Sequence, residues 1–289
     1  MQSIEVMRNM LSLITIFIFC ISCKVSEKST ITKEHYSTLD LNSNQGLIGD
    51  SLNPYVKFEA LKEAVKLKLE KISSAESNVL YEEYLNENSE LEARITDLEQ
   101  PILDKYHSQE EVDKSNLENL LTKLLENELE LKEDEDGNYT IKTVFNFYYN
   151  LFHKYVTDDY KDYLYLKSEE NKEIYEGDAS LNLTFTELGD RIIDWEKFIK
   201  KYPESKLSSQ VKDQIARYQI DYLLGLDNTP TTEKSEDPEK RFIYQENIEE
   251  FNRFIKIYPN SPTVKLILLY QANFKNSDAI DLIRKEQEK

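Results

Sequence analysis

The side chains that could do chemistry are few in this chain, and their spacing assembles no catalytic set. Its histidines, His35, His107 and His153, are far apart, and none belongs to an H-E-x-x-H pair or a comparable metal-ligand spacing. None of the six glycines sits in a G-x-S-x-G nucleophile turn, a G-x-G-x-x-G turn or a phosphate loop. Asp134, Asp136 and Gly137 occupy the third, fifth and sixth positions of a calcium-type loop beginning at Lys132. Lys132 and Thr143, however, stand where the first carboxylate and the bidentate twelfth one belong. That window reads as a solvated acidic turn. No catalytic, cofactor or metal residue is assigned, and the expectation is a protein that is not an enzyme.

The two cysteines, Cys20 and Cys23, close an apolar run. Residues 11–21 are largely apolar, preceded by Arg8 and followed by Ser22, Cys23 and Lys24, which is the layout of a secretory signal. Crossing a hydrocarbon core takes about 20 apolar residues, so this run is short for a spanning anchor. A start at Met7 in place of Met1 would leave no acid ahead of it. Cys20-Ile-Ser-Cys23 resembles the lipobox of bacterial lipoproteins, in which a small residue precedes the cysteine that receives diacylglycerol. The resemblance implies a signal over residues 1–22, lipidation of Cys23 and a lipid anchor in the cell envelope. Lys24 after that cysteine points, by the same analogy, to the outer membrane. No cysteine would then remain for a disulfide, and an exported domain without disulfides must rest on its own core.

Behind Cys23 the chain changes character. Residues 23–53 are rich in Ser, Thr, Asn and Lys and read as a lipidated flexible tether, reaching about 30 Å on average. Residues 54–180 read as a helical region. Asn53 is placed to cap a helix whose first residue is Pro54 and whose apolar positions are Phe58, Leu61, Val65, Leu69 and Ile72. Ser115-Asn-Leu-Glu118 has the form of a capping box before the stripe Leu117, Leu120, Leu121, Leu124 and Leu125. Phe145, Tyr148, Tyr149, Phe152, Tyr155 and Val156 make a further helical stripe beyond the acidic turn. Near Leu181-Asn-Leu-Thr-Phe185 the period drops to two, which predicts one short strand or hairpin in the middle of an otherwise all-α fold.

Residues 181–289 contain an internal repeat. Trp195-Glu-Lys-Phe-Ile-Lys-Lys-Tyr-Pro-Glu-Ser205 aligns with Phe251-Asn-Arg-Phe-Ile-Lys-Ile-Tyr-Pro-Asn-Ser261, identical at six of eleven positions. Pro203 and Pro259 disfavour helix at the tyrosine before each, and Ser205 and Ser261 are placed to cap a second helix, the latter with Pro262 at its first position. That second helix carries Leu207, Val211, Ile215, Tyr218 and Tyr222 in one copy and, in a less regular pattern, Val264, Leu268 and either Tyr270 or Gln271 in the other. Each unit is therefore an antiparallel helix pair. Trp195, Phe198, Ile199 and Tyr202, and equivalently Phe251, Phe254, Ile255 and Tyr258, are expected to form a packing seam against the second helix. The unit resembles the tetratricopeptide-type repeats of bacterial envelope lipoproteins, including those that serve outer-membrane protein assembly. It departs from them in its spacing of 56 residues against about 34, with the polar insertion 227–241 between the copies. The resemblance implies an α-solenoid whose partner is another envelope protein or peptide, with helix pairs in 54–170 completing the stack.

The formal charge of −19 repels nucleic acid and anionic lipid, so neither is expected as a partner, and membrane contact falls to the lipid anchor. Two readings follow: a membrane-anchored, protein-binding helical scaffold, or an acidic inhibitor or immunity lipoprotein that neutralises a basic exported toxin or lytic enzyme.

Overall fold

The computed structural model describes residues 53–107, 114–133, 138–233 and 235–288. They belong to a compact unit with one contiguous hydrophobic core running from Tyr55 to Ile283. The fold is all-α with small antiparallel hairpins. Helix α1 (Pro54–Leu69) starts where Asn53 caps it, its side chain accepting from the Tyr55 amide at 2.9 Å. It packs on the long α2 (Ser74–His107), and α3 (Lys114–Glu126) follows. On α3 the leucine stripe is narrower than its sequence suggests. Leu120 and Leu124 are buried, while Leu121 and Leu125 face solvent.

The main hairpin is not where the period of two near Leu181 places it. Strands β1 (Leu129–Glu133) and β2 (Tyr139–Thr143) pair in register Leu131↔Ile141 and lie on α2. Leu129 and Ile141 alternate into the core, and α2 satisfies β2 from the side. The Ile141 amide donates to Thr96 Oγ1 and the Thr143 amide to Glu92 Oε1. The aromatic stripe expected over 145–156 is likewise broken. Helix α4 (Phe147–Phe152) stops at His153, and α5 (Asp158–Glu170) begins after Thr157, which exchanges hydrogen bonds with Asn78 of α2. Phe147 and Phe152 from α4 meet Tyr81 and Tyr84 of α2 in an aromatic cluster.

Beyond α5 comes the two-residue hairpin β3–β4 (Glu176–Gly177 and Ser180–Leu181), the strand content that exists near Leu181. The rest of that stretch becomes helix because Thr184 and Glu187 form a reciprocal capping box at the start of α6 (Phe185–Lys201). Helix α7 (Ser208–Leu224) pairs with α6. After β5–β6 (Gly225–Leu226 and Thr229–Pro230), α8 (Gln245–Ile257) pairs with α9 (Pro262–Asn273), and α10 (Ala279–Gln287) closes on α7 and α9. The insertion between the copies thus opens in a hairpin and continues through a bridge of Thr232 to Ile243 and a 3-10 turn at Pro238–Lys240; Gly225, at φ 71°, leads into the hairpin where a Cβ would strike the Thr229 carbonyl. The hairpin docks beside β3–β4 through Asn228, which donates to the Ala179 and Asp178 carbonyls.

The copies meet across Gly189. A glycine inside a helix costs roughly 1 kcal/mol against alanine, so its place needs a packing reason. A Cβ here would lie 3.1 Å from the Tyr222 ring and 3.2 Å from that of Phe254. The bare backbone lets α8 approach α6.

Candidate functional site

Every position of the repeat can be located. Trp195, Phe198, Phe251 and Phe254 are buried in the core; Ile199, Tyr202, Ile255 and Tyr258 are half-buried around them. The rings are arranged alike in the two copies: Phe198–Tyr202 and Phe254–Tyr258 centroids are both 5.2 Å apart. Their neighbours differ. In the first copy Trp195 and Phe198 both meet Tyr163 of α5, so this seam faces the preceding helix as well as its own partner. In the second, Phe251 and Phe254 meet Tyr222 of α7, and Phe251 also meets Tyr270 of α9.

Buried carboxylates hold these seams, a feature the apolar pattern does not announce. Glu170 accepts from Trp195 Nε1 at 2.6 Å, Tyr218 Oη at 3.0 Å and Gln214 Nε2 at 2.9 Å, with Lys167 Nζ at 3.0 Å. Burial first, and then the Glu170 charge, push the Tyr218 phenol up to about 12, so it stays protonated as donor. Glu250 accepts from Tyr222 and Thr186 and pairs with Arg253.

Both Tyr-Pro-x-Ser turns dock on acids. In the first, Tyr202 Oη donates to Asp162 Oδ2 at 2.8 Å, and Ser205 Oγ to Asp159 Oδ2 at 2.5 Å. Lys201 joins Asp162, and Lys206 reaches Glu82 of α2 at 2.5 Å. Burial raises the Asp162 carboxyl, but the bonds from Lys201 and Tyr202 outweigh it and hold it below the usual carboxylate range. In the second turn, Tyr258 Oη donates to Asp190 Oδ1 at 3.0 Å, while Ser261 and Thr263 donate to Glu196 Oε1 at 2.9 and 2.6 Å. Burial pushes Glu196 above its ordinary range against those bonds. Ser261 caps α9 as its sequence predicts, but Ser205 caps only the turn before α7, accepting from the Leu207 amide.

Where the second turn crosses α6 and α7 a groove opens, enclosing about 1090 Å³. Helix α6 contributes a stripe at Ile193, Glu196, Lys197 and Lys200, and α7 a facing stripe at Lys212, Ile215, Ala216 and Gln219. Ile199, Leu266 and the exposed Ile257 add aliphatic surface, and Lys265 and Glu286 stand across from the stripes. Lysine outnumbers carboxylate here, in a chain whose net charge is −19. The groove is therefore mainly aliphatic and basic, with Tyr258 the aromatic side chain in its lining. Its sequence signal is the i, i+3, i+4, i+7 stripe on each helix in which lysine follows or precedes an apolar position.

The other residues marked out by sequence do not join it. His153 donates from Nδ1 to the Tyr149 carbonyl at 2.8 Å and stacks on that ring. Cys20, Cys23, His35 and the tether up to residue 52 lie outside the described residues, as do Asp134, Asp136 and Gly137 and the side chain of His107. Among the described residues no group of acids, histidines and cysteines is arranged to hold a metal ion, and no helix is long and apolar enough to cross a membrane.

Fold and groove together define an all-α protein of packed helix hairpins with a lysine-rimmed cleft between them. Compared with known protein families, curated proteins and solved structures, the chain matches none of them.

Proposed function

We propose that this protein is an envelope lipoprotein, anchored through Cys23, whose helix hairpins act as a scaffold that holds another protein. The observation that carries the reading is the groove between the two repeat copies: an open, aliphatic-floored cleft of about 1090 Å³ built on rigid helices. Preformed concave surfaces with a few convergent polar groups are the ordinary form of a binding site. The signal layout and the Tyr-Pro-x-Ser repeat, which resembles the tetratricopeptide units of envelope lipoproteins, support the same reading. The alternative of an inhibitor of a basic toxin draws on the net charge alone, and the lysines at the groove run against it.

Two measurements on the full-length chain test this. A photo-crosslinking residue at Ala216, inside the groove, should give one discrete adduct with an envelope protein, absent when the probe sits at the exposed Leu125 on α3. Equal, diffuse labelling from both positions would overturn the scaffold. Separately, Cys23→Ser should abolish incorporation of a fatty-acid label; undiminished labelling would remove the anchor.

A further inference from the structure

Resting on that reading, we infer that the groove between α6, α7 and the second Tyr-Pro turn takes an acidic peptide segment carrying aliphatic side chains. The cations at its rim are not equivalent. Lys197 is paired with Asp194 at 2.8 Å, and Lys265 is paired with Glu286. Lys200 and Lys212 make no ion pair or hydrogen bond among the described residues, although the chain carries 55 acids against 36 bases. Both stand at the end of the α6–α7 hairpin nearest its turn, one shortly before Tyr202 and the other shortly after Leu207.

Helix dipoles explain Lys200 but not Lys212. A cation in the last turn of α6 is stabilised by the carbonyl end of the helix. Lys212 lies in the opening half of α7, where the amide end carries positive potential, and the first turn of α7 contains no acid. Two unneutralised lysines therefore face one cleft, which accommodates an anion there. Next to them Ile199, Ile215 and Leu266 supply aliphatic wall. An anion with an apolar neighbour is the complementary ligand.

A peptide fits this better than an anionic lipid. Acyl chains need a closed, dry lining, whereas this cleft is open and carries the exposed Asn260 amide at its edge, a group suited to a peptide backbone. The body charge of −19 opposes any acidic ligand at long range, but that repulsion is screened beyond about 8 Å at physiological ionic strength, while contacts at Lys200 and Lys212 are not. The same sign bias sets specificity: only a ligand that reaches the two lysines overcomes the repulsion.

The test uses full-length protein in mild detergent and fluorescence anisotropy with a fluorescein-labelled peptide of glutamates interspersed with leucines. Its lysine-for-glutamate counterpart is the control probe. The acidic probe should bind and the lysine counterpart should not. Lys200→Glu with Lys212→Glu should weaken binding by about ten-fold or more, whereas Lys256→Glu with Lys285→Glu, an equal charge change at exposed sites outside the groove, should change it by less than about two-fold. Circular dichroism confirms that both doubles fold. Lys200→Arg with Lys212→Arg should restore binding. The proposal is overturned by failure of the acidic probe to bind, by equal losses in the two doubles, or by binding of the lysine probe. Displacement of the probe by oleate at equal dependence on Lys200 and Lys212 would give the groove to amphiphiles and also overturn it. A discrete adduct from Ala216 together with a silent acidic probe would leave the scaffold standing and remove its acidic specificity alone.

Discussion

The two copies of the repeat share a sequence and differ in what they dock against. In the first, the single helix α5 supplies both the aromatic partner, Tyr163, and the acids Asp159 and Asp162 that receive the Tyr-Pro turn. In the second, the same duties are divided: Tyr222 comes from α7, while Asp190 and Glu196 come from α6. In the first copy Lys206, bound to Glu82, also ties the turn to α2. In the second, the turn rests on α6 and the start of α9 reaches α7, where Gln219 donates to Thr263, and the groove lies along these contacts. Similar local residues thus dock on different neighbours, and the groove lies where the second copy meets α6 and α7.

The largest expected effect tests whether the seams are equivalent. Phe198→Ala and Phe254→Ala each remove a fully packed ring and should cost about 3–5 kcal/mol, a large share of the roughly 5–15 kcal/mol that holds a domain folded. At about 2–4 °C per kcal/mol for a chain of this size, thermal melts should fall by about 6–20 °C in both. Glu204→Ala, in the exposed turn, should leave the melt in place. A large loss in one phenylalanine variant alone would break the equivalence, and unchanged melting in both would refute the helix-hairpin packing.

A smaller effect should appear where the two seams differ, at Trp195 against Phe251. Trp195→Phe gives the first copy the ring of the second and deprives Glu170 of its indole donor, leaving Gln214, Tyr218 and Lys167. Denaturant unfolding should show a loss of about 1–3 kcal/mol. The reciprocal Phe251→Trp must push aside Tyr222 and Tyr270 and should cost a similar amount by overpacking. If Phe251→Trp were neutral, the second seam would be looser than its full burial indicates.

The smallest effect concerns Glu196, the acid beneath the second turn. Its carboxyl is raised, so the folded state binds a proton more readily than the unfolded chain does. Stability from this group is full below its unfolded pKa and is lost as pH rises through the folded one. Glu196→Gln keeps an oxygen for Ser261 and Thr263 but does not titrate. At neutral pH the variant should melt slightly higher than the parent, by no more than about 2–4 °C, and the gap should close as pH falls from neutral into the carboxylate range. A gap that widened on acidification would reverse the assignment.

Much of the helical frame was legible because its signals are local. Asn53 and Pro54 start α1, the prolines at 203 and 259 stop α6 and α8 near the preceding tyrosines, and Ser261 with Pro262 starts α9, each through backbone geometry that a few residues impose. The face that α9 buries was not legible. Leu266, Ile267, Leu268, Leu269 and Tyr270 are apolar nearly all round, so no single face is selected by period. Contact with α7, α8 and α10 selects Leu266, Ile267 and Tyr270 and leaves Leu268, expected in the core, 54% exposed. The hairpin at β1–β2 escaped for a related reason: five-residue strands offer too short a window for alternation to stand out.

By itself the sequence determined the helix class, the repeat, its punctuation and the export-like N-terminal pattern, since each depends on residues close together in the chain. Only the tertiary structure decided that Glu170, Glu196 and Glu250 serve as internal acceptors, that Gly189 is a contact point, and that Lys200 and Lys212 share a cleft. Those outcomes depend on which helix lies beside which. That choice is made by packing of the whole core, where side chains distant in sequence compete for the same volume.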